Sequence, residues 1–238
     1  MTTVTAALLD PLLRSDPVGP RITYYDDATG ERIELSTATL ANWAAKTGNL
    51  LRDELGAGPD SRIAVLLPAH WQTAAVLMGI WWIGAEVVLE PDEADIALCT
   101  ADHIADADAG VGPAGEVVAL SLDPFGKPVT DLPVGITDYA TSVRVHGDQI
   151  VPERRPGRAL AGRSVDDVLA AARDAATAVG FTSADRVLST AGWDTAEDLV
   201  GNLLAVFAAR ASLVQVANPE ASTMQRRKDT EKVTRLLD

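Results

Sequence analysis

The stretch over residues 61–89, SRIAVLLPAHWQTAAVLMGIWWIGAEVVL, constrains this chain more than any other. Arg62 opens an apolar run that carries β-branched Ile63 and Val65 and lasts to Leu67. It is short enough for a strand buried on both faces. Pro68 has no N–H to donate and disfavours helix at Leu67, so the strand ends there. Residues 71–83 are then apolar nearly all round, with Gln72 and Thr73 near the start. A helix of that kind has to be buried. The uninterrupted apolar run, 74–85, falls short of the ~20 residues a bilayer span needs. Gly84 suits a helix stop, and residues 85–89 read as a second buried strand. Strand, helix and strand in this order form a βαβ unit, which crosses over right-handedly in about 98% of cases.

The rest of the chain continues the alternation. Residues 5–14 have helical spacing, with Pro11 tolerable if it lies in the first turn. Residues 21–25 and 32–35 flank Asp26-Asp27-Ala28-Thr29-Gly30 and read as a hairpin. Ser36 suits the N-cap of a helix over 39–55. Residues 96–100 and 116–122 read as strands, 101–109 as a short helix, and 143–145 with 149–151 as a small hairpin. Ser164 suits the cap of a helix over 165–179, with Asp166 and Asp167 well placed in its first turn. Strands are expected over 186–190 and 212–217, with a helix over 195–209 capped by Asp194. Residues 223–238 are polar, helical or frayed. The prediction is an α/β fold with a layered, largely parallel sheet and flanking helices, in a single domain over residues 1–238. Within it, 1–150 and 164–238 form two halves joined by a basic loop at 151–163.

Charge and cysteine content narrow the function. The formal net charge of −14 repels phosphate backbones, so no nucleic-acid partner is expected. The single cysteine, Cys99, lies in an apolar run and reads as a buried, inert thiol. The N-terminus lacks a basic segment and has Asp10 early, unlike a signal peptide. The expectation is a cytoplasmic protein with no membrane partner. No cofactor is required by the sequence.

Five successive segments carry a family likeness. Ile22-Thr23-Tyr24 is followed by the helix over 40–55, then by Asp60-Ser61-Arg62-Ile63-Ala64-Val65-Leu66-Leu67-Pro68, the apolar helix, and Gly84-Ala85-Glu86-Val87-Val88-Leu89. This order resembles the N-terminal part of the adenylate-forming superfamily: acyl-CoA synthetases, nonribosomal-peptide adenylation domains and luciferases. A weaker likeness runs over 165–217, through Ser183-Ala184-Asp185-Arg186-Val187-Leu188-Ser189-Thr190. The resemblance implies an AMP-binding, acyl-activating scaffold. It also implies a Ser/Thr/Gly-rich phosphate loop ending in Pro-Lys-Gly and a lysine from a second, smaller domain. Neither is present in these residues. Where the loop is expected stands Pro156-Gly157-Arg158-Ala159-Leu160-Ala161-Gly162-Arg163. Adenylation needs charge neutralisation at the transferring phosphorus, so ordinary ATP-dependent acid activation is not expected.

Candidate site residues follow from position. Thr190-Ala191-Gly192-Trp193-Asp194 leaves the carboxyl end of a strand, where open α/β sheets place ligands. The resemblance implies that this region contributes to the acyl-substrate pocket, often with an aromatic residue or a histidine, and Trp193 is the nearest resembling residue. The plain alternative is a hydrophobic staple with a helix cap. His70 follows a strand in the same way; the alternative is a residue of the helix start. Arg154, Arg155, Arg158 and Arg163 reverse the acidic balance locally and offer an anion site, or a solvated loop. Gly110-Val111-Gly112-Pro113-Ala114-Gly115 fits G-x-G-x-x-G but precedes a strand, so it reads as a loop. No histidine has metal-ligand spacing. The reading is a catalytically degenerate acyl-CoA synthetase-like protein that binds a partner protein or a small acyl or nucleotide-like ligand. A homodimer is the expected assembly, because a truncated sheet exposes an edge. The alternatives are an enzyme of altered chemistry and one completed by a separate chain.

Overall fold

The computed structural model describes residues 2–237. In chain order its first elements are α1 (Val4–Ser15), β1 (Pro20–Asp26), β2 (Glu31–Ser36), α2 (Thr37–Asn49), β3 (Arg62–Leu66), α3 (Trp71–Trp82), β4 (Glu86–Val88) and β5 (Ile96–Thr100). Then come α4 (Ile104–Gly110), β6 (Glu116–Leu120), β7 (Ile136–Asp138), α5 (Tyr139–Ser142) and α6 (Val165–Val179). The last are β8 (Arg186–Ser189), α7 (Ala196–Asp198), α8 (Ala205–Ala208), β9 (Ser212–Ala217), α9 (Ala221–Thr230) and β10 (Arg235–Leu237). The backbone groups into two compact units. One holds Ala41–Leu67 and Ala75–Val165 with the N-terminal segment up to Ala7. The other holds Leu8–Leu40, Pro68–Ala74 and the chain from Asp166 onward.

The first unit is built on a parallel sheet in the order β4-β3-β5-β6-β7. The 61–89 stretch forms β3, α3 and β4 as its pattern requires, and every residue of α3 is buried. Gly79 lets α2 and α3 approach closely: a Cβ there would lie 2.7 Å from the Ala44 carbonyl oxygen. Gly84, at φ +78°, ends the helix segment in the left-handed conformation that glycine tolerates. Ala64, Val88, Ala97, Cys99 and Val117 cluster on one side of the sheet, with Ile104 and Ile136 packed against them. Burial in this cluster pushes the Cys99 thiol up to about 11, with the Asp102 carboxylate adding to the effect.

The second unit has a sheet in the order β10-β8-β9-β1-β2, parallel except for the β1–β2 hairpin. Leu188, Val214 and Val216 line one face under Tyr25, Met224 and Val233. On that face Glu231 ties the sheet together. Its carboxylate accepts from the Tyr25 hydroxyl at 2.5 Å, from Arg32 at 2.9 and 3.1 Å, and from Arg186.

Several local expectations are corrected. Pro11 sits in the middle of α1, not in its first turn. Residues 143–145 form a 3₁₀ turn after α5, not a hairpin strand; Asp138 caps that helix by accepting from the Thr141 N–H at 2.7 Å. The helical stretch after β8 is capped by Thr195, not Asp194. The Thr195 hydroxyl and the Asp198 side chain form a reciprocal capping box. The polar C-terminal stretch contains a strand, β10, beyond its helix.

Candidate functional site

The second unit places the predicted turn at the carboxyl ends of β8 and β9. Side chains in register across a sheet share a face. Ser189, Gln215 and Tyr24 are such partners across β8, β9 and β1, and form a polar row beyond an apolar row of Val187, Leu213 and Ile22. Ser189 and Gln215 are fully buried. The turn hangs from this row. The Ala191 N–H donates to the Ser189 hydroxyl at 3.1 Å, and the Gln215 side-chain amide donates to the Ala191 carbonyl at 3.0 Å. Asn202 holds the next peptide by donating to the Gly192 carbonyl at 3.0 Å. Gly192 leaves room for the Asp194 carboxylate, which would stand 2.4 Å from a Cβ at that position.

Trp193 turns inward and is only 2% exposed, whereas Thr190, Gly192 and Asp194 stay at the surface. The indole Nε1 of Trp193 and the Oε1 of Gln215 are both buried without a hydrogen-bond partner among the described residues. Such groups are rare in folded proteins, and each calls for a ligand, a water or a functional reason. One is a donor and the other an acceptor, and both belong to the same turn and the strand that supports it.

His70 lies in the same unit, against the Tyr24 ring, edge to face at 4.3 Å between centroids. Its Nδ1 accepts from the Gln72 N–H at 3.1 Å, so the ring proton belongs on Nε2, which faces Glu31 at 3.7 Å. Burial lowers the imidazole pKa, against the raising effect of Glu31, and favours the neutral ring. Glu31 also accepts from the Trp71 indole at 3.2 Å. Both ring nitrogens of His70 therefore face protein groups, and its contact with Tyr24 is its link to the polar row. Gln215, Ser189, Tyr24 and Glu31 were not singled out from the sequence. A lone glutamine inside the apolar strand 212–217 is the signal that points to this row.

In the first unit the basic loop is a strap bound along β4. The Val87 N–H donates to the Ala159 carbonyl and the Ala161 N–H to the Val87 carbonyl, each at 3.0 Å. The Trp81 indole donates to the same Ala159 oxygen at 2.7 Å. Within the strap, the N–H groups of Arg155, Gly157, Ala159, Ala161, Gly162 and Arg163 all donate to protein acceptors. The acceptor for Gly162 is the Glu86 carboxylate, at 2.5 Å. Of the four arginines, Arg154 and Arg155 are exposed, Arg158 folds back onto the Gly162 carbonyl, and Arg163 is half-buried and already engaged. The strap therefore already holds an anion supplied by the chain itself. Among the described residues no group of three or more His, Cys, Asp or Glu is placed to hold a metal ion. No described helix is long and apolar enough to cross a membrane.

Two solved structures share this architecture. An acyl-CoA synthetase from Brucella canis superimposes with a TM-score of 0.80 at 19% identity, over 98% of this chain and 46% of its own. The anthranilate CoA ligase AuaEII, solved with anthranoyl-AMP, gives 0.76 at 16% identity, over 99% of this chain and 49% of its own. The chain thus spans about half the length of these synthetases and has the fold that the adenylate-forming resemblance implied. No family model matches the sequence. A protein of Mycobacterium tuberculosis strain H37Rv, described as a TIGR03089 family protein, is 69% identical over 239 residues, covering 99% of this chain and 98% of that protein. Identity at that level over essentially the whole of both chains leaves one conclusion: the chain belongs to the TIGR03089 family.

Proposed function

We propose that this chain is a catalytically degenerate relative of the acyl-CoA synthetases that binds a small acyl or nucleotide-like ligand and does not activate acids with ATP. The observation that carries the reading is the strap over residues 153–163. A phosphate loop works by aiming unpaired backbone N–H groups at the anion. Here six of those donors already have acceptors in the protein, one of them the Glu86 carboxylate. A triphosphate placed there would meet a carboxylate and broken strap hydrogen bonds.

The unpaired Trp193 indole and Gln215 carbonyl support a small ligand over a protein partner, because a ligand can reach buried groups in a turn. Thr190, Gly192, Trp193 and Asp194 would form its edge, with His70 positioning Tyr24. The strap arginines fit an anion site less well, since Arg158 and Arg163 already have partners. We place the protein in the cytoplasm as a homodimer; a monomeric mass by light scattering would remove the second point.

The test is direct. Protein, ATP, Mg²⁺ and a panel of carboxylic acids should release no pyrophosphate above background, while AMP, CoA or acyl-CoA compounds should shift the melting temperature. The part of the shift that depends on the acyl group should be lost in Trp193→Ala. Pyrophosphate release that scales with enzyme concentration would refute the reading. It would favour the second one, an acyl-activating enzyme of altered chemistry or one completed by a separate chain.

A further inference from the structure

The second unit has a cleft at the ends of its strands opposite the Trp193 turn. It has a volume of about 650 Å³ and lies where β1, β8 and β9 begin. That volume lies within the range of small-molecule sites. Three acids line it, and each already has a cation of its own. Asp16 faces Arg21 at 3.7 Å, Asp185 faces Arg235 at 3.4 Å, and Glu231 pairs with Arg186. Asp185 further accepts from the Thr182 N–H and hydroxyl and from the Thr234 hydroxyl, each at 2.8 Å. Its lone pairs are therefore well occupied.

Two lining cations remain, Arg210 and Lys232. Among the described residues neither side chain has an ion-pair partner. Both are exposed and have left-handed backbone, at φ +60° and +53°, in the turns that lead into β9 and β10. Those strands flank β8 on either side, so the two residues enter the cleft from turns on opposite sides of β8. Ser212, the first residue of β9, also lines the cleft and is half-buried. Its hydroxyl accepts from Arg186 at 3.4 Å, which leaves its own proton free to donate into the cleft. The lining holds four cations against three acids in a chain of net charge −14, and the Arg210–Lys232 pair is the part that no acid of the cleft engages. That pair matches a phosphate monoester, which carries about −1.5 to −2 near neutral pH.

We propose that the cleft at the amino ends of β1, β8 and β9 binds a small phosphate-bearing anion, held by Arg210 and Lys232 with the Ser212 hydroxyl. This site is separate from the turn at Trp193. Neither its location nor its chemistry depends on acyl activation.

The test is calorimetric titration of the full chain, in a phosphate-free buffer of low ionic strength, with inorganic phosphate and AMP, and adenosine as the uncharged control. Phosphate and AMP should bind and adenosine should not. The double variant R210A/K232A should weaken both by at least about tenfold, as expected for losing charge-assisted bonds. The double variant R154A/R155A removes the same charge from the other unit and should change affinity by less than about twofold, as exposed charges do. Lys232→Arg should keep most of the affinity. AMP binding much more tightly than phosphate would identify an esterified ligand, and equal affinity would identify free phosphate; both support the site. If Trp193→Ala abolishes AMP binding while R210A/K232A does not, AMP binding belongs to the Trp193 turn and this proposal fails. No binding of phosphate at millimolar concentration, or equal losses in the two double variants, would also overturn it.

Discussion

Replacing Glu231 by glutamine tests how the second unit is held together. The carboxylate is 4% exposed and binds Tyr25, Arg32 and Arg186, so one side chain ties β1, β2 and β8 to the segment after α9. Burial alone would raise its pKa, but the hydrogen bonds from Tyr25, Arg186 and Arg32 lower it from 4.5 to about 2. At about 1.4 kcal/mol per unit of pKa, that difference is worth about 3 kcal/mol of stability near neutral pH. Because the folded-state value is the lower one, the contribution is fully present above pH 4.5. It is lost as pH falls toward 2, and about half should remain at pH 3. Glutamine keeps the shape but cannot neutralise two guanidinium groups, and breaking a buried pair typically costs about 3–5 kcal/mol. Equilibrium urea unfolding of wild type and Glu231→Gln, followed by circular dichroism, should show a gap of about 3 kcal/mol at pH 7 that narrows steadily below pH 4.5. A gap under about 0.5 kcal/mol at pH 7, the range of ordinary surface substitutions, would refute the reasoning. So would a gap that does not shrink on acidification.

Other predictions concern the first unit and the turn cap. Gly157→Ala should destabilise severely, because its Cβ would lie 1.9 Å from the Pro59 carbonyl oxygen; a thermal melt within a degree of wild type would contradict this. Trp81→Phe removes the indole donor to Ala159 and should cost about 1–3 kcal/mol, leaving a buried carbonyl with one bond fewer, with faster proteolysis at residues 153–163 as its local sign. Cys99 should resist a disulfide reagent in the native protein at pH 8 and react fully in urea, since it is buried with a thiol pushed up to about 11; fast native labelling would contradict the packing. Thr195→Ala should cost about 1 kcal/mol by removing the capping box, measurable by chemical unfolding.

The elements legible in the sequence were those whose burial is written into a local period. The unit from β3 to β4 was readable because Pro68 and Gly84 punctuate it and α3 is apolar on every side. Residues 96–100, 165–179 and 212–217 form elements with those same bounds. What was not legible depends on partners distant in sequence. β7 and β10 are three residues long, too short for any period, and exist because β6 and β8 offer them an edge. The partition into two sheets follows from which strands pair, and a pattern of alternation does not encode that. The site was half visible. Trp193 and its turn could be placed from strand polarity, but the row of Ser189, Gln215 and Tyr24 needs the register of three strands. The strap looked like a solvated loop because its arginines dominate the reading, while its anchoring is done by backbone groups and by Glu86.

The strap has a bearing on assembly. A border strand whose outward amides and carbonyls are unmatched invites another chain to extend the sheet. Beside β3 that invitation is withdrawn at Val87, because residues 159 and 161 take up its outward N–H and C=O. Self-association through strand addition in the first unit would therefore have to use β7, where Ile136, Thr137 and Asp138 present the other margin. A proline at Thr137 would discriminate between the two borders.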